Sequence, residues 1–145
     1  DDCGIPTKKR FLVEKGRINL FLYDYDTACL VNAAPTGNSG CAPYNPILMP
    51  GEINSKELLK SIKRGIFIDQ LLGFGQSNFA NGDFSANIQL GYVIENGEIV
   101  GRLKDAMIAG NIFEMLSKPI IASSDVDKCH LNPYMLFSEV NFFSK

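Results

Sequence analysis

The sequence predicts an α+β domain of predominantly antiparallel β-sheets with one or two short helices, and three observations predict it. Short apolar segments of strand composition recur along the 145 residues, and turn residues separate them. One of these turns, Asn96-Gly97, has the composition of a two-residue hairpin loop. The strand-helix alternation that builds a parallel sheet is absent. The length of 145 residues predicts a single domain over residues 1–145.

The N-terminal third predicts a hairpin followed by a long irregular connection. Residues 10–14 and 18–23 have strand composition and flank the turn residues Lys15-Gly16. The second segment is so apolar that we expect it to be covered on both faces. Asp24-Tyr25-Asp26 is interpreted as a solvated strand end. Residues 33–50 are rich in proline, glycine and asparagine and show no period, which indicates an irregular loop.

From residue 54 onward the predicted elements follow one another closely. Either Asn54 or Ser55 can cap a helix that ends before Gly65, and leucine and isoleucine recur on one of its faces. Residues 73–82 are interpreted as a loop. The predicted strands cover residues 66–72, 84–94, 99–103, 119–122 and 134–143, and a second short helix covers residues 112–116.

Composition excludes two classes of partner. With 46% apolar and 21% charged residues the chain is globular, and a net charge of −2 disfavours a protein that neutralises nucleic-acid phosphates. No apolar run reaches the ~20 residues that a membrane helix needs. We therefore expect neither nucleic acid nor a membrane as a partner. The unusual start at Asp1-Asp2-Cys3-Gly4 suggests a piece of a longer protein, or else a processed N-terminus.

Cysteine and histidine provide few candidates for chemistry. The four cysteines form no CxxC pair, and a domain of this size folds without disulfides, so we expect reduced thiols in a cytoplasmic protein. The adjacent Cys129 and His130 are candidate metal ligands. A catalytic pair with His130 as base would need another cysteine brought near by folding. The cysteines are Cys3, Cys29, Cys41 and Cys129.

Two further stretches begin like ligand-binding motifs but lack residues that those motifs require. Gly73-Phe74-Gly75 begins like a dinucleotide-binding loop, but Asn78 replaces the third glycine and a strand follows. Asp24 and Asp26 begin like a calcium loop, but Cys29 stands where glycine is required. A flexible loop and a solvated strand end are the preferred interpretations.

The run Asn81-Gly82-Asp83-Phe84-Ser85 has a structural interpretation of its own. Gly82 permits a tight turn, Asp83 can accept hydrogen bonds from that turn, and Phe84 anchors the next strand in the core. A role in holding a peptide backbone is compatible with this interpretation.

Six motifs in fixed order resemble the C-terminal region of the TldD/PmbA family, once called modulators of DNA gyrase. The motifs are Asp1–Pro6, Thr36-Gly37-Asn38, Pro50-Gly51, Gly82-Asp83-Phe84-Ser85, Glu95-Asn96-Gly97-Glu98-Ile99 and Ile108-Ala109-Gly110-Asn111. The resemblance covers nearly the whole chain. It implies a cytoplasmic peptide-processing metalloprotease of two subunits, paralogous or identical, and a substrate-binding role for Gly82, Asp83, Phe84, Ser85 and Asn111.

The chemistry of that family is largely missing here. The resemblance implies a zinc site made by an upstream HExxxH motif and a C-terminal cysteine, and this chain has no such motif and one histidine. Cys129 falls near the expected cysteine, but His130-Leu131-Asn132 replaces the glycines that should follow it. We therefore expect the PmbA-like, non-catalytic type, with no catalytic residue, metal ligand or cofactor in this chain, and zinc only in the full-length assembly.

The function predicted from the sequence is to hold or enclose an unfolded peptide and to support subunit assembly, without cutting alone. Two alternatives remain open at this point. One is a stand-alone scaffold for subunit interaction. The other is the C-terminal part of an active zinc peptidase whose HExxxH motif lies upstream.

Overall fold

The computed structural model describes residues 1–73, 77–78, 80–129 and 131–144. The chain divides into two compact units, Asp1–Ile47 and Leu48–Lys145. The named strands of the described part all pair antiparallel, and three short α-helices accompany them. The α+β class is therefore confirmed, with one helix more than expected. The single domain over residues 1–145 stays a prediction.

The first unit begins with a hairpin that is shorter than predicted. Strands β1 (Val13–Glu14) and β2 (Arg17–Ile18) flank a turn in which Lys15 and Gly16 both have positive φ. The prediction that residues 18–23 are covered on both faces is wrong, since Phe21 is 64% exposed. Phe21 therefore lies at the surface, whereas Leu20, Leu22 and Tyr23 are half-buried.

Asp24 begins a helix, so the interpretation of residues 24–26 as a strand end is wrong. Helix α1 spans Tyr25–Leu30, and the Asp24 carboxylate accepts a hydrogen bond from the Thr27 backbone N–H at 2.9 Å. Bonds from the backbone and side chain of Thr27 hold the pKa of Asp24 below its usual value. Because helix α1 has six residues, its periodicity was too short to outweigh the strand-like composition before it.

The long connection of the first unit packs closely against the start of the chain. Only a 3-10 turn at Ser39–Cys41 interrupts the irregular backbone predicted for residues 33–50. A Cβ atom on Gly37, whose φ is +74°, would lie 2.7 Å from the Pro6 carbonyl oxygen. Thr36 Oγ1 accepts a hydrogen bond from the Tyr23 N–H at 2.8 Å. Two of the six motifs are therefore joined by a contact that requires glycine.

The second unit begins with the predicted helix in shortened form. Helix α2 spans Ser55–Lys60, and Asn54 rather than Ser55 caps it, accepting from the Lys56 N–H at 3.0 Å. Residues 61–63 leave the helix, and the next strand begins at Arg64, two residues earlier than predicted. No helix in the described residues is both long and apolar enough to cross a membrane.

A five-stranded antiparallel sheet forms the centre of the second unit. Strand β4 is flanked by β3 on one side and by β5 and β6 on the other, and β9 pairs with the far edge of β6. The hairpin turn between β4 and β5 has positive φ at Asn96 and Gly97, which confirms the prediction for it. The strands are β3 (Arg64–Leu72), β4 (Asp83–Glu95), β5 (Glu98–Arg102), β6 (Ala106–Asn111) and β9 (Asn141–Ser144).

One face of this sheet carries the hydrophobic core. Alternate residues of β4 are buried there with two residues of β6, and Met115 and Val140 pack against them. The buried residues are Phe84, Ala86, Ile88, Ala106 and Ile108. Helix α3 (Ile112–Ser117) follows β6 directly and matches the second predicted helix. The residues between 106 and 111 form a strand rather than the lead into that helix.

A second, two-stranded sheet closes the unit. Strands β7 (Ile120–Val126) and β8 (Pro133–Phe137) pair antiparallel, and the predicted strand over residues 134–143 is divided into β8 and β9. Ser123 is fully buried, and Gly51 donates its N–H to the Ser123 carbonyl at 2.9 Å. Helix α2 is held to β7 by Asp125, whose carboxylate accepts from both the N–H and the hydroxyl of Ser55.

Candidate functional site

The Gly82 turn lies directly beside the start of helix α3. Gly82 is buried, has a φ of +77°, and accepts a hydrogen bond from the Ile112 N–H at 2.8 Å. A Cβ atom built there would lie 2.5 Å from Cδ2 of the Phe113 ring. Glycine is therefore required at this position both for its backbone conformation and for the approach of the ring.

Asn111 joins this turn to helix α3 through all of its polar groups. Its Oδ1 accepts from the Phe113 N–H at 3.0 Å and the Glu114 N–H at 3.3 Å, which makes it the N-cap. Its Nδ2 donates to the Asn81 carbonyl and to Asp83 Oδ1, both at 2.8 Å. An amide side chain offers two donors and two acceptor lone pairs, so Asn111 has no hydrogen-bonding capacity left for a ligand.

The remaining predicted site residues lie at the start of strand β4. Phe84 is 8% exposed and belongs to the core, and its ring atoms would lie 3.3 Å from a Cβ atom on Gly110. Asp83 and Ser85 are exposed on the opposite face of the sheet. The Ser85 side chain is thus available to a ligand, as is the part of the Asp83 carboxylate that Asn111 does not use, whereas Gly82, Phe84 and Asn111 have structural roles. The substrate-binding role of all five stays a prediction.

A groove of the second unit is lined in part by strand β3. This groove has a volume of about 1590 Å³ and runs between β3, helix α2 and strand β8. In the described part of the chain β4 is the only strand that pairs with β3, and β7 is the only strand that pairs with β8. Two strands that each have one described neighbour therefore contribute residues to one groove. Of the five predicted site residues, only Asn111 lines it.

Aromatic side chains bring the two edges together at one point of the groove. The Phe67 ring of β3 lies 6.0 Å from the Tyr134 ring of β8 and 6.2 Å from the Tyr92 ring of β4, measured between centroids. Partial burial raises the pKa of Tyr134 above its usual 10.0, and the charges of Asp127, Asp125, Asp69 and Cys129 raise it further. Asp69 and Asp127 also line this groove.

Asp125 gives the attachment of helix α2 a dependence on pH. Hydrogen bonds from Ser55 lower the pKa of Asp125 below 3.8 in the folded protein. A lowered pKa stabilises the fold above pH ~4, and this contribution is lost as the pH falls through the folded-state pKa. We expect Asp125→Asn to lower the melting temperature at pH 7 and to lower it less at pH 3. Thermal unfolding at both pH values, with exposed Asp105→Asn as control, tests this.

Comparison with known proteins identifies the family. The model of the PmbA/TldA metallopeptidase C-terminal domain matches residues 1–144. The chain belongs to the TldD/PmbA family. A metalloprotease of Methanocaldococcus jannaschii is 34% identical over 135 residues, which cover 88% of this chain and 30% of the relative. The chain thus spans about a third or less of the length of the proteins it matches.

Two solved structures of the TldD/PmbA family share the fold. A protein of Thermotoga maritima, described as a candidate modulator of DNA gyrase, is 36% identical with a TM-score of 0.85. The match covers 97% of this chain and 34% of that one. TldE of Thermococcus kodakarensis is 28% identical with a TM-score of 0.74, covering 99% of this chain and 34% of its own.

The zinc ion that the TldD/PmbA family implies finds no ligand set among the described residues. No three His, Cys, Asp or Glu side chains of the described ranges lie close enough together to hold a metal ion. Cys129 is exposed, and its N–H donates to Asp127 Oδ1 at 3.0 Å. The candidate His130 and the loop residues Phe74 and Gly75 lie outside the described residues. The metal-free state of this chain stays a prediction.

The groove was not predicted from the sequence, and its residues carry few local signals. The strand β3 was predicted, but its free edge depends on which strands pair with it. Strand β8 was predicted as part of a longer strand, so its own edge could not be located. The motif residues marked the turn beside helix α3 instead, because glycine turns and asparagine caps are recognisable from a few neighbouring residues.

Proposed function

We propose that this chain is the C-terminal domain of a peptide-processing TldD/PmbA metalloprotease and that it holds an unfolded peptide without cutting it alone. The observation that carries the proposal is the groove lined by β3 and β8, two strands that each have one unpaired edge among the described strands. A strand edge binds an extended peptide through backbone hydrogen bonds, with little demand on its sequence. That mode of binding suits an enzyme acting on unfolded segments.

The size of the groove agrees with a peptide rather than a small molecule. Ligand pockets for small molecules span about 300–1,000 Å³, and this groove has about 1590 Å³. The register of β3 against β4 is regular from Arg64 to Ile68 and breaks at Asp69. Five regular residues span about 17 Å, so the edge can pair with a segment of about five residues.

We also propose that the first unit contributes to subunit assembly. Large apolar side chains are exposed there, with Leu30 at 86%, Ile47 at 68% and Phe21 at 64%. We infer that these side chains contact a partner, and the partner proposed is a paralogous or identical subunit. The PmbA-like type, a cytoplasmic location and zinc held elsewhere in the assembly belong to the same proposal.

A pair of peptides tests the proposed binding mode. The first is an unstructured fluorescent hexapeptide of neutral residues, and the second has the same side chains with alternate backbone amides N-methylated. We expect saturable binding of the first by fluorescence anisotropy, at least about tenfold tighter than the second, because two or three backbone hydrogen bonds are lost. A scrambled hexapeptide should bind like the first.

A photoreactive side chain at the centre of the peptide locates the site. We expect cross-links, identified by mass spectrometry, to residues 64–68 of β3 or to Pro133–Phe137 of β8. Equal affinity for both peptides, or cross-links outside these strands, would contradict the proposed groove. Binding to a partner subunit without any binding of peptide would favour the scaffold function instead.

A further inference from the structure

The sequence contains two Asn-Gly pairs, and the structure places them in different surroundings. They are Asn81-Gly82, in the turn before β4, and Asn96-Gly97, in the hairpin turn between β4 and β5. Both asparagines are exposed and both glycines are buried. Asparagine before glycine is prone to deamidation, because glycine has no side chain to shield its backbone nitrogen from the asparagine amide. The two pairs share this chemistry, so a difference in their reactivity comes from the fold.

The Asn96-Gly97 pair is held tightly against the segment that follows helix α2. Gly97 donates its N–H to the Ile62 carbonyl at 2.8 Å, and Asn96 donates its N–H to the Lys63 carbonyl at 2.8 Å. A Cβ atom on Gly97 would lie 2.7 Å from Cα of Lys60, so the turn packs directly on the end of the helix. The Gly97 nitrogen therefore reacts only after this part of the structure opens locally.

The Asn81-Gly82 pair has a free nitrogen instead. Neither the Gly82 N–H nor the Asn81 side chain makes a hydrogen bond with any residue that the structure describes. The Asn81 carbonyl oxygen accepts a hydrogen bond from Nδ2 of Asn111 at 2.8 Å. This carbonyl belongs to the same amide group as the Gly82 nitrogen. The hydrogen bond therefore stabilises the negative charge that spreads onto the oxygen when the nitrogen loses its proton.

We propose that Asn81 is a site of spontaneous covalent modification, converted through a succinimide to aspartate and isoaspartate, and that the fold protects Asn96 from the same reaction. Hydroxide removes the Gly82 N–H proton, and the nitrogen then attacks Cγ of Asn81. A new N–C bond closes the ring, the bond from Cγ to the side-chain nitrogen breaks, and that nitrogen takes a proton from water and leaves as ammonia. Water opens the ring at either carbonyl, and each product carries one new carboxylate.

The isoaspartate product changes the contact between this turn and helix α3. It adds one methylene group to the main chain between Cα of residue 81 and the Gly82 nitrogen. Gly82 has little room to move, because its carbonyl accepts from the Ile112 N–H and its Cα lies against the Phe113 ring. The new carboxylate also lies two residues from Asp83 in sequence. Modification of an exposed asparagine therefore weakens the attachment of helix α3.

Ageing of the folded protein at mildly alkaline pH tests the difference between the two sites. Digestion with pepsin at acidic pH, where deamidation is slow, is followed by mass spectrometry with fragmentation to separate Asn81 from Asn96. We expect the mass gain of about 1 Da at Asn81 to appear at least about tenfold faster than at Asn96, because only Asn96 requires local opening. In guanidinium chloride we expect the two rates to agree within about twofold, since the unfolded chain protects neither.

Variants connect the reaction to its site and to its effect. Asn81→Gln should abolish the mass gain at this position, because the larger ring it would form closes far more slowly, and exposed Asn87→Gln is the matched control that should retain it. Ion-exchange chromatography separates the aged products by charge. We expect the isoaspartyl fraction to melt below the unmodified protein. Asn81→Asp adds the charge without lengthening the main chain, so it should melt closer to the unmodified protein.

Equal rates at the two sites of the folded protein, or a faster reaction at Asn96, would overturn the inference. A difference that persists in guanidinium chloride would overturn it as well, because the local sequence rather than the fold would then set the rates. An isoaspartyl fraction that melts like the unmodified protein would contradict the effect on helix α3. None of these outcomes depends on the binding of a peptide.

Discussion

Gly82→Ala should destabilise the protein by about 2–3 kcal/mol. A side chain at a φ of +77° costs about 1–2 kcal/mol, and displacing the Phe113 ring from 2.5 Å of the new Cβ adds about 1 kcal/mol or more. Because Phe113 is 60% exposed, its ring can move outward, which limits the second contribution. Chemical denaturation followed by circular dichroism measures the change.

Gly73→Ala is the matched control for this substitution. Gly73 has a φ of +83° in the same unit, and no described atom lies within 4 Å of where its Cβ would be. We expect it to cost only the backbone contribution, about 1–2 kcal/mol. Equal losses for the two alanine variants would show that the approach of Phe113 to Gly82 has no energetic weight.

Asn111→Ala should destabilise the protein by about 2 kcal/mol. Loss of the helix cap costs about 1 kcal/mol, and the bonds to the Asn81 carbonyl and Asp83 carboxylate add a similar amount. Asn111→Asp keeps the cap acceptors but places a carboxylate oxygen against the Asp83 carboxylate and the Asn81 carbonyl, so we expect a loss at least as large as that of Asn111→Ala. Thermal and chemical unfolding of both variants measure the series.

Asn87→Ala is the control for Asn111→Ala, because it removes an exposed side-chain amide from β4, the strand that pairs with β6. Asn87 is exposed on β4, and its substitution should change the unfolding free energy by less than about 0.5 kcal/mol. A loss at Asn111 no larger than this would contradict the joining role of its side chain. The double variant of Gly82 and Asn111 should lose less than the sum of the two, since both act on one contact between turn and helix.

These positions show what the sequence could and could not predict. The Asn96-Gly97 turn was predicted correctly, and Asn54 was one of the two residues predicted to cap helix α2. Both predictions succeed because turn conformation and helix capping depend on adjacent residues. Helix α1 was missed because its six residues follow an apolar segment that resembles a strand. Strand β9 was merged with β8 because its separation depends on pairing with β6, a partner distant in sequence.

The candidate site was predicted on a different physical basis. The motif residues Gly82, Phe84 and Asn111 were assigned to substrate because they belong to the family pattern. Their structural roles explain the pattern equally well. Gly82 lies against the Phe113 ring, Phe84 belongs to the core, and Asn111 caps helix α3 with all of its hydrogen-bonding groups in use. The groove is lined by residues of α2, β3 and β8, which are distant from one another in sequence and which no contiguous motif contains, so sequence patterns could not reveal it.

The position of β4 at the centre of the sheet has a consequence for the order of folding. Strands β3, β5 and β6 each pair with β4 and lie near it along the chain, so these pairings close shorter loops than the pairing of β9 with β6. Strand β9 reaches β6 only across some thirty intervening residues, and Val140 packs against the core beside it. The four consecutive strands can therefore form a folding nucleus early, while the core is completed only in a later and slower step.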